Sequence, residues 1–459
     1  MARRSSAFSL GLMLGTAGFA FGAGALLRGI TGHPARIAHS FRFAQAAASD
    51  AHPFSALLAV ANTATAVPGD KADVEKTLPA VYQLVEQYYV DDLPPIGTLS
   101  RATGRAMLAA LGDPNCYYVT ANQRRLLENE ATGHFAGIGA VLTVQPTRRD
   151  GYTDYKIVVF PLPGSPAEKA GLRAGDVITH IDRRFVMGFD PALKVNKLAV
   201  APKGELARSG IRLATAQMLL RGDEETIATF APSASGFNVT VQRPRATAPL
   251  TLRIPLGDTE APVPAARSLA QNTVYLRVPL FTRETPAQVQ NALQGVSPSA
   301  RLVLDLRQNA GGESEAATQT LERIAPGVRL AGQKASAQGG MSSHSTLARP
   351  VAVLLDEGTG GAAEAVAVSL AQRGAATVGS RTSGNPVLQT AFALSDGTGF
   401  VLATGRVPLP HRADGTTAGL TPSVPVLSNA SDAQVLARAV AALNVSPARS
   451  VDIKRSAVR

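Results

Sequence analysis

Short apolar runs alternate with helical segments throughout the second half of the chain, from Asn272 onward. The runs predicted as strands cover residues 274–278, 302–306, 351–355 and 377–378, and the predicted helices between them cover 286–293, 314–324 and 362–372. A strand that is followed by a helix and another strand favours parallel pairing, because parallel neighbours need a long crossover connection. The pattern therefore predicts an α/β core with a layered sheet. Two later strands suit a hairpin around residues 395–399, and a last helix covers 432–443.

Length and charge limit the classes of function. The 459 residues suffice for two or three domains, each with its own core. The 45 Lys and Arg exceed the 34 Asp and Glu and give a net charge of +11, which could indicate a nucleic-acid partner. However, only 5% of residues are aromatic, Trp is absent and no groove-reading motif occurs, so we expect no nucleic acid. Contact of basic ends with an anionic membrane and ordinary solvation of those ends both remain open.

The N-terminus has the pattern of an export segment. Two arginines, Arg3 and Arg4, precede an uncharged stretch from Ser5 to Leu27. Residues 1–30 are therefore predicted to be a signal peptide or a membrane anchor, and 31–72 a linker. The body would be exported to the cell envelope, either periplasmic or anchored to the inner membrane. The membrane would be a partner only if the segment is not cleaved.

Cysteine usage argues against disulfides and metal. Cys116 is the single cysteine, so no internal disulfide can form, and no His or Cys lies near it at ligand spacing. We expect no cofactor and no metal site. Residues 73–134 are predicted to form an N-terminal helical region, with one helix beginning near Val74 and another over residues 99–111. Residues 446–459 are predicted to be a basic tail.

Residues 135–257 resemble a PDZ domain. The resemblance rests on an ordered series of glycine motifs, namely Gly137-Ile138-Gly139, Gly164-Ser165-Pro166-Ala167, Ala170-Gly171-Leu172 and Ala174-Gly175-Asp176. It implies that Gly137, Ile138, Gly139 and Ala140 bind the carboxylate of a polypeptide C-terminus, while the strand after them pairs with the peptide. The segment 190–210 is longer than a small PDZ domain needs and is predicted to be a surface insertion of unknown use.

Three further motifs lie at the ends of predicted strands. They are V-L-D-L-R-Q-N-A-G-G over 303–312, D-E-G-T-G-G-A-A-E over 356–364 and G-S-R-T-S-G-N-P-V-L-Q over 379–389. Together with the PDZ-like region they resemble the C-terminal processing, or tail-specific, serine peptidases, and the resemblance covers residues 74–443. In that family the motifs read D-L-R-x-N-x-G-G, G-S/T-A-S-A-S-E and G-E-x-T-x-G-K-G-x-x-Q. The second contains the nucleophilic serine and the third contains the general-base lysine.

Both members of this Ser–Lys dyad are absent from the sequence. Aligned through Glu364, the serine position is Gly361, and aligned through Gly384 and Gln389, the lysine position is Asn385. Glycine cannot attack a carbonyl carbon, and an amide cannot accept a proton at neutral pH. Gln389 would either orient the missing lysine or be an ordinary glutamine at a strand edge.

Other parts of the site are retained. The resemblance implies that backbone N–H groups of Gly311, Gly312 and Ala362 face the oxyanion. Thr359 is the fallback nucleophile, but it stands two residues before the serine position and is expected to be structural. His344 could supply a base oriented by Asp305 or Asp356, although a lone histidine in a polar loop is more often solvated.

The sequence thus predicts a multidomain protein of the α+β or α/β class. It has an N-terminal helical region, a PDZ domain and a tail-specific-protease-like core over residues 265–445. The leading functional hypothesis is an exported, catalytically inactive pseudopeptidase that binds polypeptide C-terminal tails, with an active peptidase or an envelope protein as a further partner. An active serine-type or threonine-based peptidase and a membrane-tethered scaffold are the alternatives.

Overall fold

The computed structural model describes residues 71–149, 152–188, 210–231, 235–333, 347–427 and 430–444. The predicted signal or anchor segment, nearly all of the 190–210 insertion, His344 and the basic tail lie outside these ranges, so the expectations for them stay predictions. Among the described helices, none is both long enough and apolar enough to cross a membrane.

The chain divides into two compact units at Pro95. The described part of the first unit is built on one helix, α1 (Lys71–Tyr88), which contains Pro79. Its apolar residues Leu78 and Val81 are each nearly half exposed. Everything described below belongs to the second unit.

The second unit begins with a helical region. Its elements are α2 (Ile96–Ala110), β1 (Tyr117–Val119), α3 (Ala121–Thr132) and β2 (His134–Phe135). The helices predicted near Val74 and over 99–111 are confirmed, but α3 was not predicted. Its signal is present in the sequence as a capping box, since the Thr120 hydroxyl accepts from the Gln123 N–H and the Gln123 side chain accepts from the Thr120 N–H. The helix ends at Gly133, whose φ of 100° favours glycine.

The PDZ-like region, residues 135–257, forms a mostly antiparallel sheet with short helices. Its elements are β3 (Ala140–Arg149), β4 (Tyr152–Pro161), α4 (Pro166–Lys169), β5 (Asp176–Ile181), β6 (Arg184–Met187), β7 (Ile211–Arg212), α5 (Leu213–Leu220), α6 (Glu224–Phe230), β8 (Gly236–Gln242) and β9 (Leu250–Pro255). Strand β3 pairs with β4 alone and lies at the sheet edge of the described structure. Helix α5 was not predicted, because nearly all of its residues are buried and it has no polar face to reveal a helical period.

The last part of the unit is the layered core, and it confirms the predicted alternation. Its elements are β10 (Thr259–Glu260), β11 (Ala265–Leu269), β12 (Thr273–Arg277), α7 (Thr285–Ala292), β13 (Arg301–Asp305), α8 (Ser314–Ile324), β14 (Val351–Leu355), α9 (Ala362–Ala371), β15 (Ala376–Gly379), β16 (Val387–Ala393), β17 (Gly399–Arg406), β18 (Val424–Pro425) and α10 (Asp432–Ala442). The main sheet has the order β11-β12-β13-β14-β15-β18, and only β11 and β12 are antiparallel.

Alternate residues of the central strands face the two layers of this core. Leu304 and Val353 pack with α7, α8 and α9, whereas Val303 and Leu354 pack with α10 on the other face. Because β13 and β14 are parallel neighbours, the loops after their carboxyl ends meet at one edge of the sheet.

A second, three-stranded sheet has the order β1-β17-β16. Strand β1 pairs antiparallel with β17, and Tyr118 lies opposite Phe400. The pairing joins the helical region to the predicted hairpin of β16 and β17, which is confirmed.

Candidate functional site

The candidate site lies where the loops after β13 and β14 converge. The Gly360 N–H donates to the carbonyl of Asn309 at 2.9 Å. A Cβ atom on Gly311 would lie 2.9 Å from the Ala362 nitrogen and 3.4 Å from the Gly361 Cα. Gly311 also has a φ of 113°, so both its conformation and its surroundings require glycine.

Gly361 sits at the turn into α9, with φ 52° and ψ −121°. A Cβ atom at this position would lie 3.5 Å from Nδ2 of Asn385 and 3.3 Å from the Ala310 carbonyl oxygen. The structure therefore brings together the two positions that the sequence assigns to the missing dyad. Residues other than glycine rarely adopt this backbone conformation, so a serine here would be strained.

Asn385 is held by the carboxylate of Glu364, one turn into α9. Glu364 accepts hydrogen bonds from the N–H groups of Gly384 and Asn385, each at 2.8 Å, and from the Thr382 hydroxyl. The side chain of Glu364 is fully buried. Burial raises the pKa of Glu364 to about 7, despite the hydrogen bonds that favour its charged form. Glu364 thus fixes the Asn385 loop against the N-terminus of α9.

Two of the three predicted oxyanion donors remain available. The Gly311 N–H donates to Oδ1 of Asn309 at 2.8 Å, so this N–H is already engaged within the loop. The N–H groups of Gly312 and Ala362 have no acceptor among the described residues. Both residues line a cavity of about 140 Å³, together with Gly361 and Asn385.

Gln389 also lines this cavity, from strand β16. Its side-chain amide donates to the carbonyl of Asn115 at 3.0 Å. The amide therefore links β16 to the turn before β1, which favours a structural role over the orientation of a residue at position 385.

Thr359, the predicted fallback nucleophile, does not line the cavity. The residue is fully buried. Its hydroxyl donates to the Leu306 carbonyl at 2.9 Å and accepts from the Asp356 N–H at 3.1 Å. The hydroxyl is thus engaged within the loop, which favours a structural role.

The two candidate orienting carboxylates are also engaged. Asp305 accepts from Arg307 at 2.7 Å and from the Tyr275 hydroxyl at 2.6 Å. Asp356 accepts from the N–H groups of Gln308 and Gly358, at 2.8 and 2.9 Å. Both acids brace turns.

The Gly137–Ala140 loop, which is predicted to bind a terminal carboxylate, packs against the end of α5. The Ile138 N–H donates to the Leu220 carbonyl at 2.9 Å, at the C-terminal end of α5. A Cβ atom on Gly137 would lie 2.2 Å from that same oxygen, and one on Gly139 would lie 2.7 Å from Cβ of Ser165. Ala140 is buried as well. The Ile138 N–H is therefore already engaged by α5, and carboxylate binding by this loop stays a prediction.

Sequence reasoning missed an ion pair on the wall of the cavity. Arg221 follows α5, and its Nε donates to the Glu130 carboxylate of α3 at 2.9 Å, with both side chains largely buried. Burial raises the pKa of Glu130, and the Arg221 guanidinium opposes that rise. Glu130 could not be placed because α3 was not predicted. Within the described residues, no cluster of three or more His, Cys, Asp or Glu side chains could hold a metal ion.

Comparisons with known proteins match two stretches of the chain to known families. Residues 272–426 match the model of peptidase family S41, and residues 157–194 match that of a PDZ domain. The chloroplastic C-terminal processing peptidase of Tetradesmus obliquus is 30% identical over 303 residues, which cover 62% of this chain and 59% of that protein. The carboxyl-terminal-processing protease of Picosynechococcus sp. is 28% identical over 298 residues, covering 62% of this chain and 63% of that protein. The chain thus spans about three fifths of the length of these relatives.

Among solved structures, a photosystem II D1 C-terminal processing protease is 25% identical. The alignment covers 78% of this chain and 89% of that one, with a TM-score of 0.49.

Proposed function

The chain belongs to the C-terminal processing peptidases with an embedded PDZ domain, and we propose that it binds polypeptide tails without cleaving them. The observation behind this proposal is the juxtaposition of Gly361 and Asn385, with 3.5 Å between the Cβ position of Gly361 and Nδ2 of Asn385. The family resemblance puts the nucleophile and its base at these positions. Here neither residue can form a covalent bond to the substrate or take up a proton. In comparable serine peptidases, loss of these groups lowers the rate by about 10⁶-fold while binding can persist.

Retained backbone donors support binding. Gly312 and Ala362, whose N–H groups have no acceptor among the described residues, line the same cavity as Gly361, and edge strand β3 contributes Val141, Leu142 and Thr143 to its wall. An extended peptide can pair with an edge strand, and N–H groups at a helix N-terminus attract a carbonyl oxygen. These features favour a site that holds a peptide backbone.

The cellular setting belongs to the same proposal. The uncharged segment after Arg4 supports export to the cell envelope. A tail-binding protein there would shield C-termini from an active peptidase of the same family, or would deliver them to it.

The first test is a cleavage assay. We expect purified full-length protein to leave β-casein and an apolar-ended peptide uncut over a day, and to bind the peptide in a fluorescence titration. Turnover that disappears in Thr359→Ala would overturn the proposal and restore the threonine-based peptidase. Absence of both turnover and binding would favour the scaffold alternative.

A further inference from the structure

A second cavity, much larger than that at Gly361, separates the helical region from the PDZ-like region. Its volume is about 770 Å³, within the range of sites that enclose a ligand. Leu108 and Tyr118 line one side, while Met218 and Phe230 line the other. Tyr117 is the one described residue that contributes to both cavities. The large cavity includes no residue of the loop 137–140.

Two arginines without a carboxylate partner line this cavity. Arg105 and Arg212 are both exposed, and neither contacts a carboxylate among the described residues. The Arg105 guanidinium lies 5.3 Å from the ring centroid of Tyr118. Of the acidic lining residues, Asp113 is paired with Arg406 at 2.7 Å, and Glu225 is the unpaired one. Two unpaired guanidinium groups, set against the one unpaired carboxylate of Glu225, favour an anionic group on the ligand.

Hydroxyl groups are distributed among the apolar lining residues. Thr153 and Thr215 line the cavity, and their side chains make no hydrogen bond to a described residue. The chain of a fatty acid offers no partner for such hydroxyls, whereas a polypeptide backbone offers an N–H or a carbonyl at every residue. The lining therefore fits a peptide with apolar side chains.

We propose that this cavity binds the apolar C-terminal residues of a polypeptide, with the terminal carboxylate at the rim formed by Arg105 and Arg212. The inference rests on the proposed tail-binding function and places that binding away from the loop 137–140. It explains how a tail can be held while the Ile138 N–H is bonded to Leu220.

Binding can be tested on the full-length protein with a fluorescein-labelled peptide that ends in Val-Leu-Phe. Ala214 is exposed and lines the cavity, so Ala214→Trp should fill the space without disturbing a core. We expect Ala214→Trp to weaken binding about tenfold or more. The double change of Arg105→Gln with Arg212→Gln and amidation of the peptide should each have an effect of the same size, because each removes a charge-assisted contact. Arg438→Gln, an exposed change in α10, is the matched control and should leave affinity unchanged.

Cys116 gives a second, independent readout. It is the only cysteine of the chain, it is partly exposed and it lines the cavity. Saturating peptide should slow the alkylation of Cys116 by iodoacetamide several-fold in the wild type. It should not slow this alkylation in Ala214→Trp, and an unchanged thermal melt of that variant would show that it is folded. Peptide binding that neither protects Cys116 nor responds to the variants would overturn this inference alone. Absence of peptide binding would overturn the proposed function too, and protection by sodium laurate without peptide binding would assign the cavity to a lipid.

Discussion

At the scale of single residues, the proposed loss of peptidase activity rests on two positions that lie side by side in the structure, Gly361 and Asn385. We expect Gly361→Ser with Asn385→Lys to stay folded and to cleave slowly, because Glu364 already holds the Asn385 loop and the N–H groups of Gly312 and Ala362 remain available to an oxyanion. The φ of 52° at Gly361 should cost about 1–3 kcal/mol of unfolding free energy once a side chain is present. Urea unfolding and a casein assay measure the two effects.

The control for this pair is Gly361→Ala with Asn385→Lys. It introduces the same Cβ atom and the same lysine without a nucleophile, so it should share the loss of stability and show no cleavage. If both variants cleave, or if both fail to melt cooperatively, the two positions are not those of the dyad.

A second prediction at this scale concerns the buried Glu364 carboxyl group, whose pKa is raised from 4.5 to about 7. Between pH 4.5 and about 7, the Glu364 carboxyl group is therefore protonated in the folded state and ionised in the unfolded state. Glu364 stabilises the fold most below pH ~4.5, and this contribution falls as pH rises towards 7, by on the order of 3 kcal/mol in all. Glu364→Gln should flatten the pH dependence of urea unfolding in this window, while the exposed Glu315→Gln should not. An unchanged slope in Glu364→Gln would contradict the assignment.

At the scale of elements, long amphipathic or β-branched segments were predictable and short buried ones were not. Helix α8 and strand β14 have the bounds expected from sequence, because their apolar periods are regular. Helix α5 was not predicted because it is buried on nearly every side. Helix α3 was not predicted either, although its capping box is present in the sequence. The hydrogen bond from the 137–140 loop to the end of α5 was not predictable either, because it is a tertiary contact with no local sequence signature.

The ion pair between Glu130 of α3 and Arg221 at the end of α5 allows a test of how these two missed elements are joined. Removal of one partner leaves a charge buried without compensation, so Arg221→Met should lower the unfolding free energy by about 3–5 kcal/mol. Glu130→Met combined with Arg221→Met should cost less than Arg221→Met alone. Urea unfolding of the two single variants and the double variant measures the coupling, and simple additivity would show that the pair does not link the helices.

At the scale of the whole molecule, the PDZ-like sheet and the layered core share buried contacts beside the candidate site. Val158 and Phe160 of β4 pack against Ala310, which lies in the loop that leads to Gly311 and Gly312. A shift of the PDZ-like region would therefore reach the oxyanion loop directly, through side chains in van der Waals contact. The two regions should also unfold together, because each buries apolar surface of the other.

This shared core leads to a prediction for Phe160, which is 2% exposed. Phe160→Ala should lower stability by about 3–5 kcal/mol, as cavity-forming changes of a buried phenylalanine do. Because the lost contacts lie between the two regions, calorimetry should resolve the melt of residues 96–459 into two transitions where the wild type shows one. Phe392→Ala, which truncates a partly exposed ring of the β16–β17 hairpin, should lower the melting temperature less and keep one transition. If Phe160→Ala retains a single transition at lower temperature, the coupling between the regions lies elsewhere, and movement of the PDZ-like sheet would not be transmitted through Ala310.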